Sequence, residues 1–437
     1  MTGCYGRTRI KGPSSAVSRA NAPGAPSSMH TNDKVRVAID CRISNPQQGI
    51  GTAVLALAHA LSESHDVGQE YTFIVPSQMR DWIAPSIFGR CRLKTVSESA
   101  RSRVKNMVRQ VPLMRTVGKA LRGRAINVPV SDGYVEGAAF DLVHFPIQAA
   151  YLTSLPSIYQ PHDLQHVHYP GFFSKIDWAI RERLYRAFCE QAEYVCVQTE
   201  WSKQDIVQQY GIAPEKLVVI PWGLVFDARA THSVQAPQSA ARRLGLPPQF
   251  LFYPAVTWPH KNHEVIFHAL NLLKRERQRT VQVYFTGAST EFRAKLDGIA
   301  QRLGVREQLH YLGFVTTEEL RSIYRAATAM VFPSKFEGFG LPLLEAFDAG
   351  LPVLCSNASV LPEVAQDAAL YFDPDSPSDL AARMIRILDD ADLRRVLVER
   401  GTAVLSRYSF RDTAAAFQRL YALTAARQRN KTASTVA

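Results

Sequence analysis

The sequence predicts an α/β protein of two doubly wound, Rossmann-like domains joined by a linker. Three observations carry this prediction. The chain has 437 residues, too many for one compact core and suited to two domains with tails. Short apolar runs alternate with helical patterns along most of its length, as parallel sheets with right-handed crossovers require. A stretch rich in Ala, Gln, Ser, Pro and Arg over 226–247 separates two such series and reads as the linker.

Composition narrows the function classes. With 46% hydrophobic and 21% charged residues, the chain has the balance of an ordinary globular protein. The longest apolar runs, such as 217–226, are shorter than the roughly 20 residues a membrane helix needs. Nothing at the N-terminus has the pattern of a secretory signal. Cys4, Cys41, Cys91, Cys189, Cys196 and Cys355 are scattered and form no CxxC pair. Neither a zinc site nor a disulfide framework is expected, and a reducing cytoplasm is. The formal net charge of +12 suits an anionic partner such as a nucleotide diphosphate, an anionic lipid or nucleic acid.

Residues 1–33, rich in Ser, Ala, Pro and Gly, lack the apolar residues for a core and are expected to be disordered, with Met29 as an alternative start. The first domain is expected over 34–225. Its opening strand, 34–40, runs into Gly49 and Gly51 and then an apolar-periodic helix over 53–61. A strand, a glycine turn and a helix make a corner that suits phosphate, and the two glycines fit a plain tight turn equally well. A strand at 71–75 follows. Over 101–124, eight Lys and Arg stand without an acidic residue, interleaved with Val, Leu and Met and broken by Pro112. This stretch fits a solvated helical face with a core stripe, a dock on an anionic membrane, or a hold on an anionic acceptor. Strands at 141–145 and 156–163 come next, the second ending in His162 and Asp163. Ligands bind at the carboxyl ends of strands in open α/β sheets, so a His there is a candidate contact beside its commoner structural role. A strand over 193–199 leads into a helix, with Ser202 as the expected cap.

The second domain is expected over 248–407, with strands at 250–253, 281–285, 309–312 and 329–332 alternating with helices. The string Trp258-Pro259-His260-Lys261-Asn262 precedes its first helix. A Lys at such a corner neutralises a diphosphate that departs during transfer. The stretch that organises the chain is 334–345, Ser-Lys-Phe-Glu-Gly-Phe-Gly-Leu-Pro-Leu-Leu-Glu. An apolar run before it reads as a buried strand, Gly338 and Gly340 bracket a turn, and Pro342 suits the start of a helix. A helix N-terminus after small residues offers N–H groups and a positive dipole end to an anion. Glu337 lies in the turn, within reach of a ligand, and Glu345 is expected to face the same pocket from the helix. A last helix is expected over 408–426, with Phe417, Leu420 and Tyr421 on one face, and a flexible tail over 427–437.

These strings resemble the donor site of retaining glycosyltransferases of the GT-B fold, the large family 4 (glycosyltransferase group 1). The likeness runs over about 34–425 and is strongest in FEGFGLPLLEA and the Gly350-Leu351-Pro352-Val353 that follows. In that family the first Glu of an E-x7-E pair contacts the transferred sugar, the second holds the ribose, and the turn and helix N-terminus hold the diphosphate. The resemblance therefore assigns these roles to Glu337, to Glu345, and to Gly338, Phe339, Gly340 and Leu341. HDLQHVHYPGFFS resembles a segment whose first His lies beside the sugar, which points to His162 rather than His166 or His168. Lys261 matches a family Lys on the leaving diphosphate. Val256 and Thr257 stand where many members place an Arg, so one phosphate contact is missing or replaced. Gly51 matches the first loop over the donor phosphates, and Val315, in 312–315, the loop along the base. The implied catalytic set is Glu337, His162 and Lys261.

The resemblance implies retaining, metal-independent transfer of a hexose from a nucleotide sugar to a saccharide or lipid-linked acceptor, on the cytoplasmic side, with no cofactor. No DxD-like cluster is placed for a metal. PHKN and HDLQH look most like bacterial mannosyltransferases of surface polysaccharides, which puts GDP-mannose first and UDP-glucose or another UDP-hexose second. Nucleotide-sugar epimerases share the fold and remain an alternative. A basic nucleic-acid-binding protein is another, against which the paired Glu argue by repelling a phosphate backbone.

Overall fold

A computed structural model describes residues 34–42, 49–96, 126–224 and 243–436. The expected N-terminal extension, the basic segment 101–124 and most of the linker lie outside these residues.

Two parallel sheets form the frame. The first holds seven strands in the order β3-β2-β1-β4-β5-β6-β7. These are β1 (Val35–Asp40), β2 (Gln69–Pro76), β3 (Cys91–Val96), β4 (Leu142–Phe145), β5 (Ser157–Tyr159), β6 (Tyr194–Val197) and β7 (Leu217–Val219). The second holds six in the order β10-β9-β8-β11-β12-β13. These are β8 (Leu251–Pro254), β9 (Val283–Thr286), β10 (Leu309–Tyr311), β11 (Ala329–Phe332), β12 (Val353–Ser356) and β13 (Ala369–Phe372). Strand order reverses beside β1 and again beside β8, which leaves a crevice at the carboxyl ends of each sheet.

Burial follows from the sequence of each strand. β4, β6, β9, β11 and β12 are buried along their whole length, as strands covered by helices on both faces must be. In β1, Val37 and Ile39 pack with Leu57 and Leu61 of the helix Gly49–Glu63, while Ala38 faces Phe145 and Phe188 on the other side. That helix buries Val54, Leu57, Ala58 and Leu61, spacings of three and four that make one stripe. The five cysteines among the described residues are buried and unpaired.

Three local expectations need correction. The helix Glu200–Tyr210 is capped by Thr199, whose hydroxyl accepts from the Ser202 amide at 3.1 Å, so Ser202 is inside the helix and not its cap. β5 stops at Tyr159, short of the predicted 163. Pro161 has no N–H for a ladder, and His162 turns the chain with a φ of 68°. The last helix runs Phe410–Val436, beyond the 426 boundary, so the expected tail is helical. No Gly or Pro interrupts it, and Arg427 and Lys431 pair with Glu193 at 3.1 and 2.9 Å. This helix lies on the first sheet: Tyr421 meets His144 Nδ1 at 2.8 Å, and the Gln418 amide donates to Tyr71 at 3.0 Å.

Candidate functional site: a carboxylate–lysine pair between two sheets

After β11 the chain makes the turn 333–340 and enters the helix Leu341–Asp348. Gly340 takes a φ of +97°, and a Cβ there would sit 3.0 Å from Leu361 Cδ2, so only glycine fits the corner. Pro342 lies in the first turn, and no side chain caps it. The uncapped N–H groups and dipole end therefore stay available to an anion.

Glu337 projects from this turn to Lys261. Their carboxylate and ammonium are 2.6 Å apart and only 13% and 18% exposed. Lys261 ends the short turn Pro259–Lys261 after β8. Several bonds fix that turn to the one after β11. Tyr253 donates its hydroxyl to the Lys261 carbonyl at 2.9 Å, and the Lys335 amide donates to the His260 carbonyl at 2.8 Å. Asn262, at a φ of 55°, donates its amide to the Pro333 and Pro374 carbonyls at 3.1 and 2.8 Å. The Ser359 hydroxyl accepts from the Glu337 amide at 3.1 Å.

The first sheet supplies the opposite wall. A Cβ on Gly338 would stand 2.9 Å from the His162 carbonyl and 3.3 Å from Asp163 Oδ2, so Gly338 lets the two domains touch here. His162 Nε2–H donates to the Pro146 carbonyl at 3.1 Å. Nδ1 is then the acceptor of the neutral ring, buried and without a hydrogen-bond partner. Burial lowers the His162 pKa to about 4; the Pro146 carbonyl and the neighbouring Gln198 oppose this. Asp163 was not among the sequence candidates. Burial raises its pKa, and the charges of Glu337 and Lys261 both reach it. The site thus places Glu337, Lys261, His162 and Asp163 together. Only the sequence neighbourhood of His162 offered a signal for Asp163.

The other candidates fall around this centre. Gly51 is buried in the first turn of the helix Gly49–Glu63. A Cβ on nearby Gly49 would be 3.8 Å from Leu341 Cδ1, so two helix N-termini approach each other. The Phe339 ring is 3% exposed and packs edge-on against Trp222 and Tyr408, which leaves only its backbone for a ligand. Val315 is half-buried against the core, while Phe314 beside it is 69% exposed. Glu345 turns toward the helix Thr317–Ala326, where the Tyr324 hydroxyl donates to it at 2.6 Å and Arg321 and Arg325 line the same cleft. Burial raises its pKa to about 7, with the Tyr324 bond pulling the other way. Thr257, in the position of the missing Arg, is buried and bonded to Thr290.

Among the described residues, no helix is long and apolar enough to cross a membrane. No group of three or more His, Cys, Asp or Glu among them is arranged to hold a metal ion.

Comparison with known proteins bears on the family and the fold. Residues 48–227 match the model of Glycosyltransferase Family 4, and 237–404 that of Glycosyl transferases group 1. O-antigen chain mannosyltransferase B of Escherichia coli is 27% identical over 382 residues, covering 84% of this chain and 94% of the relative. The serotype-specific mannosyltransferase WbdA of Escherichia coli is 31% identical over 228 residues, covering 52% of this chain and 28% of that protein. The crystal structure of Anabaena HepE in complex with UDP and glucose shares the fold at a TM-score of 0.66 and 16% identity, over 89% of this chain and 99% of that one. With two facing Rossmann-like sheets and both family matches, the chain belongs to the group 1, family 4 glycosyltransferases of the GT-B fold.

Proposed function

We propose that the protein is a retaining hexosyltransferase that moves mannose from GDP-mannose to a saccharide or lipid-linked acceptor in surface polysaccharide synthesis. The observation that carries this reading is the buried Lys261–Glu337 pair at 2.6 Å, set at an uncapped helix N-terminus and facing His162 and Asp163 across Gly338. The likeness to two mannosyltransferases supports the choice of sugar.

In this mechanism the donor diphosphate lies on the N–H groups of 338–341 and against the Lys261 ammonium. Charge grows on the departing phosphate oxygen as the anomeric C–O bond breaks, and these preorganised donors stabilise it. Glu337 and His162 Nδ1 accept from sugar hydroxyls and fix the ring. The acceptor oxygen bonds to the anomeric carbon on the face that the diphosphate leaves, and its proton passes to the leaving phosphate. A double displacement would need a carboxylate at the anomeric carbon; Glu337 is committed to Lys261, which favours the same-face route. Lys261 and the helix dipole supply the positive charge, so the reaction is read as metal-independent. Glu345, which accepts from Tyr324 through Oε2, would take the ribose hydroxyls through Oε1. The reaction is assigned to the cytoplasm, with 101–124 as a contact to the anionic membrane face.

The test is turnover of GDP-mannose with and without EDTA, with the anomer of the product read by NMR. Glu337→Ala should abolish transfer while the protein stays folded; near-parental rates in that variant would sink the assignment. A second donor, UDP-glucose, is kept because the HepE structure holds UDP and glucose. Conversion of the donor sugar without acceptor would identify an epimerase instead.

A further inference from the structure

Phe336, the residue before Glu337, leaves its own domain. Its ring is 2% exposed and lies nearly parallel to His168 at 5.1 Å, with Tyr169 at 6.0 Å and Trp201 at 5.6 Å meeting it edge-on. All three partners belong to the first domain. His168 and Tyr169 follow the His162–Asp163 corner in sequence, and Trp201 opens the helix Glu200–Tyr210. The socket is itself fixed. His168 Nε2 bonds to buried Asp205 at 2.7 Å, and the Tyr169 hydroxyl donates to the Lys335 carbonyl at 3.3 Å. A second tie lies alongside. The Glu363 carboxylate, from the second domain, accepts from the Glu200 and Trp201 amides at 2.7 and 2.8 Å. The Thr199 cap takes the Ser202 amide and leaves these two for Glu363, a carboxylate that the helix dipole favours.

We propose that this aromatic socket positions Glu337: His168, Tyr169 and Trp201 grip Phe336 and so set the turn that carries Glu337 against His162 and Asp163. The inference rests on the donor-site reading above. Within the second domain, Glu337 is already placed by Lys261 and Ser359. What those bonds do not set is its distance from the first domain. Peptide planarity leaves few soft torsions between neighbouring residues, so a fixed Phe336 ring restricts Glu337 closely. In the donor-site reading the diphosphate is held by Lys261 and by the N–H groups of 338–341, at the start of the helix Leu341–Asp348, while the socket holds the residues just before them, 335–337. The transfer step, which needs both walls, depends on the socket. Phe336, Trp201 and Glu363 are therefore positioning residues, acting on the sugar through Glu337.

The experiment uses the full chain, Phe336→Ala and Trp201→Ala, with Trp201→Phe as the conservative variant. Calorimetry reads the affinity for GDP and UDP. Steady-state kinetics read turnover of the hexose nucleotide whose base binds. Amide exchange reads the backbone of 335–337, where the Lys335 and Glu337 amides are hydrogen-bonded, against β11. Both Ala variants are expected to lose tenfold or more in kcat, with nucleotide Kd within threefold of the parent. Exchange at 335–337 is expected to rise tenfold while β11 is unmoved, and Trp201→Phe to keep at least half the parental kcat. A folded Trp201→Ala with kcat within twofold of the parent would overturn the proposal. So would unmoved exchange, or a kcat loss matched by an equal loss of nucleotide affinity. A parent chain that binds neither nucleotide overturns the donor-site reading and this proposal with it, whereas a binding parent with unmoved kcat in the variants overturns the socket alone.

Discussion

Glu345→Gln isolates a carboxyl whose burial pushes its pKa up to about 7. Glu345 titrates at about 7 in the folded protein against 4.5 in the free side chain. The folded state therefore holds the proton more tightly than the unfolded chain. The contribution to stability is fully present below pH 4.5 and is lost as pH rises through about 7. The difference of the two values, at 1.36 kcal/mol per unit, corresponds to about 3 kcal/mol. Gln keeps an amide oxygen for the Tyr324 hydroxyl and cannot ionise. Variant and parent should unfold at nearly the same temperature at pH 4, below both values. At pH 8 the variant should melt roughly 6–12 °C higher, taking about 2–4 °C per kcal/mol for a unit of this size. Calorimetric melts at half-unit pH steps measure this. A difference between the two curves that does not change with pH would refute the reasoning, because it would mean that Glu345 keeps an ordinary acidity or is as well solvated folded as unfolded.

Two further substitutions test the contact between the domains. Gly338→Ala puts a Cβ 2.9 Å from the His162 carbonyl, a backbone atom that cannot swing away. Transfer should fall at least tenfold in kinetic assays, with a stability loss of about 1–3 kcal/mol by denaturant titration. Tyr421→Phe removes the hydroxyl that meets fully buried His144 Nδ1 at 2.8 Å. Leaving that nitrogen unpaired should cost about 1–3 kcal/mol in the same titration, with kcat little changed, since the pair lies beneath the last helix and away from Glu337.

Much of the second-domain wall of the candidate site is legible in the sequence because it is local. A buried strand, a glycine turn and a Pro-led helix fall within one contiguous stretch from Ala329 to Asp348, and the turn residues have no other use for their order. Lys261 is legible as a cation at a βα corner and Glu337 as a carboxylate in a glycine turn; that the two pair, 76 residues apart, is not. The contacts between the sheets are not legible. Nothing in the order of residues brings Gly338 to the His162 carbonyl, or Phe336 to Trp201, since these pairings depend on how the two domains meet. His162 gives no sign of its positive φ, because the chain reverses there for tertiary reasons. β3 escapes notice because Arg92, Lys94 and Thr95 leave too few apolar residues in an edge strand. The cap at Thr199 is hidden by a second hydroxyl at Ser202. Either suits the pattern, and only the extended backbone of Thr199 decides.

In the proposed function the Lys261–Glu337 turn holds the diphosphate of a nucleotide sugar. Calorimetric titration of GDP, UDP, ADP and dTDP into the parent chain and Lys261→Met, each with magnesium and with EDTA, tests it most directly. Selective binding of one nucleotide is expected, equal with magnesium or EDTA, and weakened at least tenfold by Lys261→Met. At 100 times its dissociation constant that nucleotide should add about 2.7 kcal/mol to folding stability. Equal affinity in parent and variant, or no binding of any nucleotide, would contradict it.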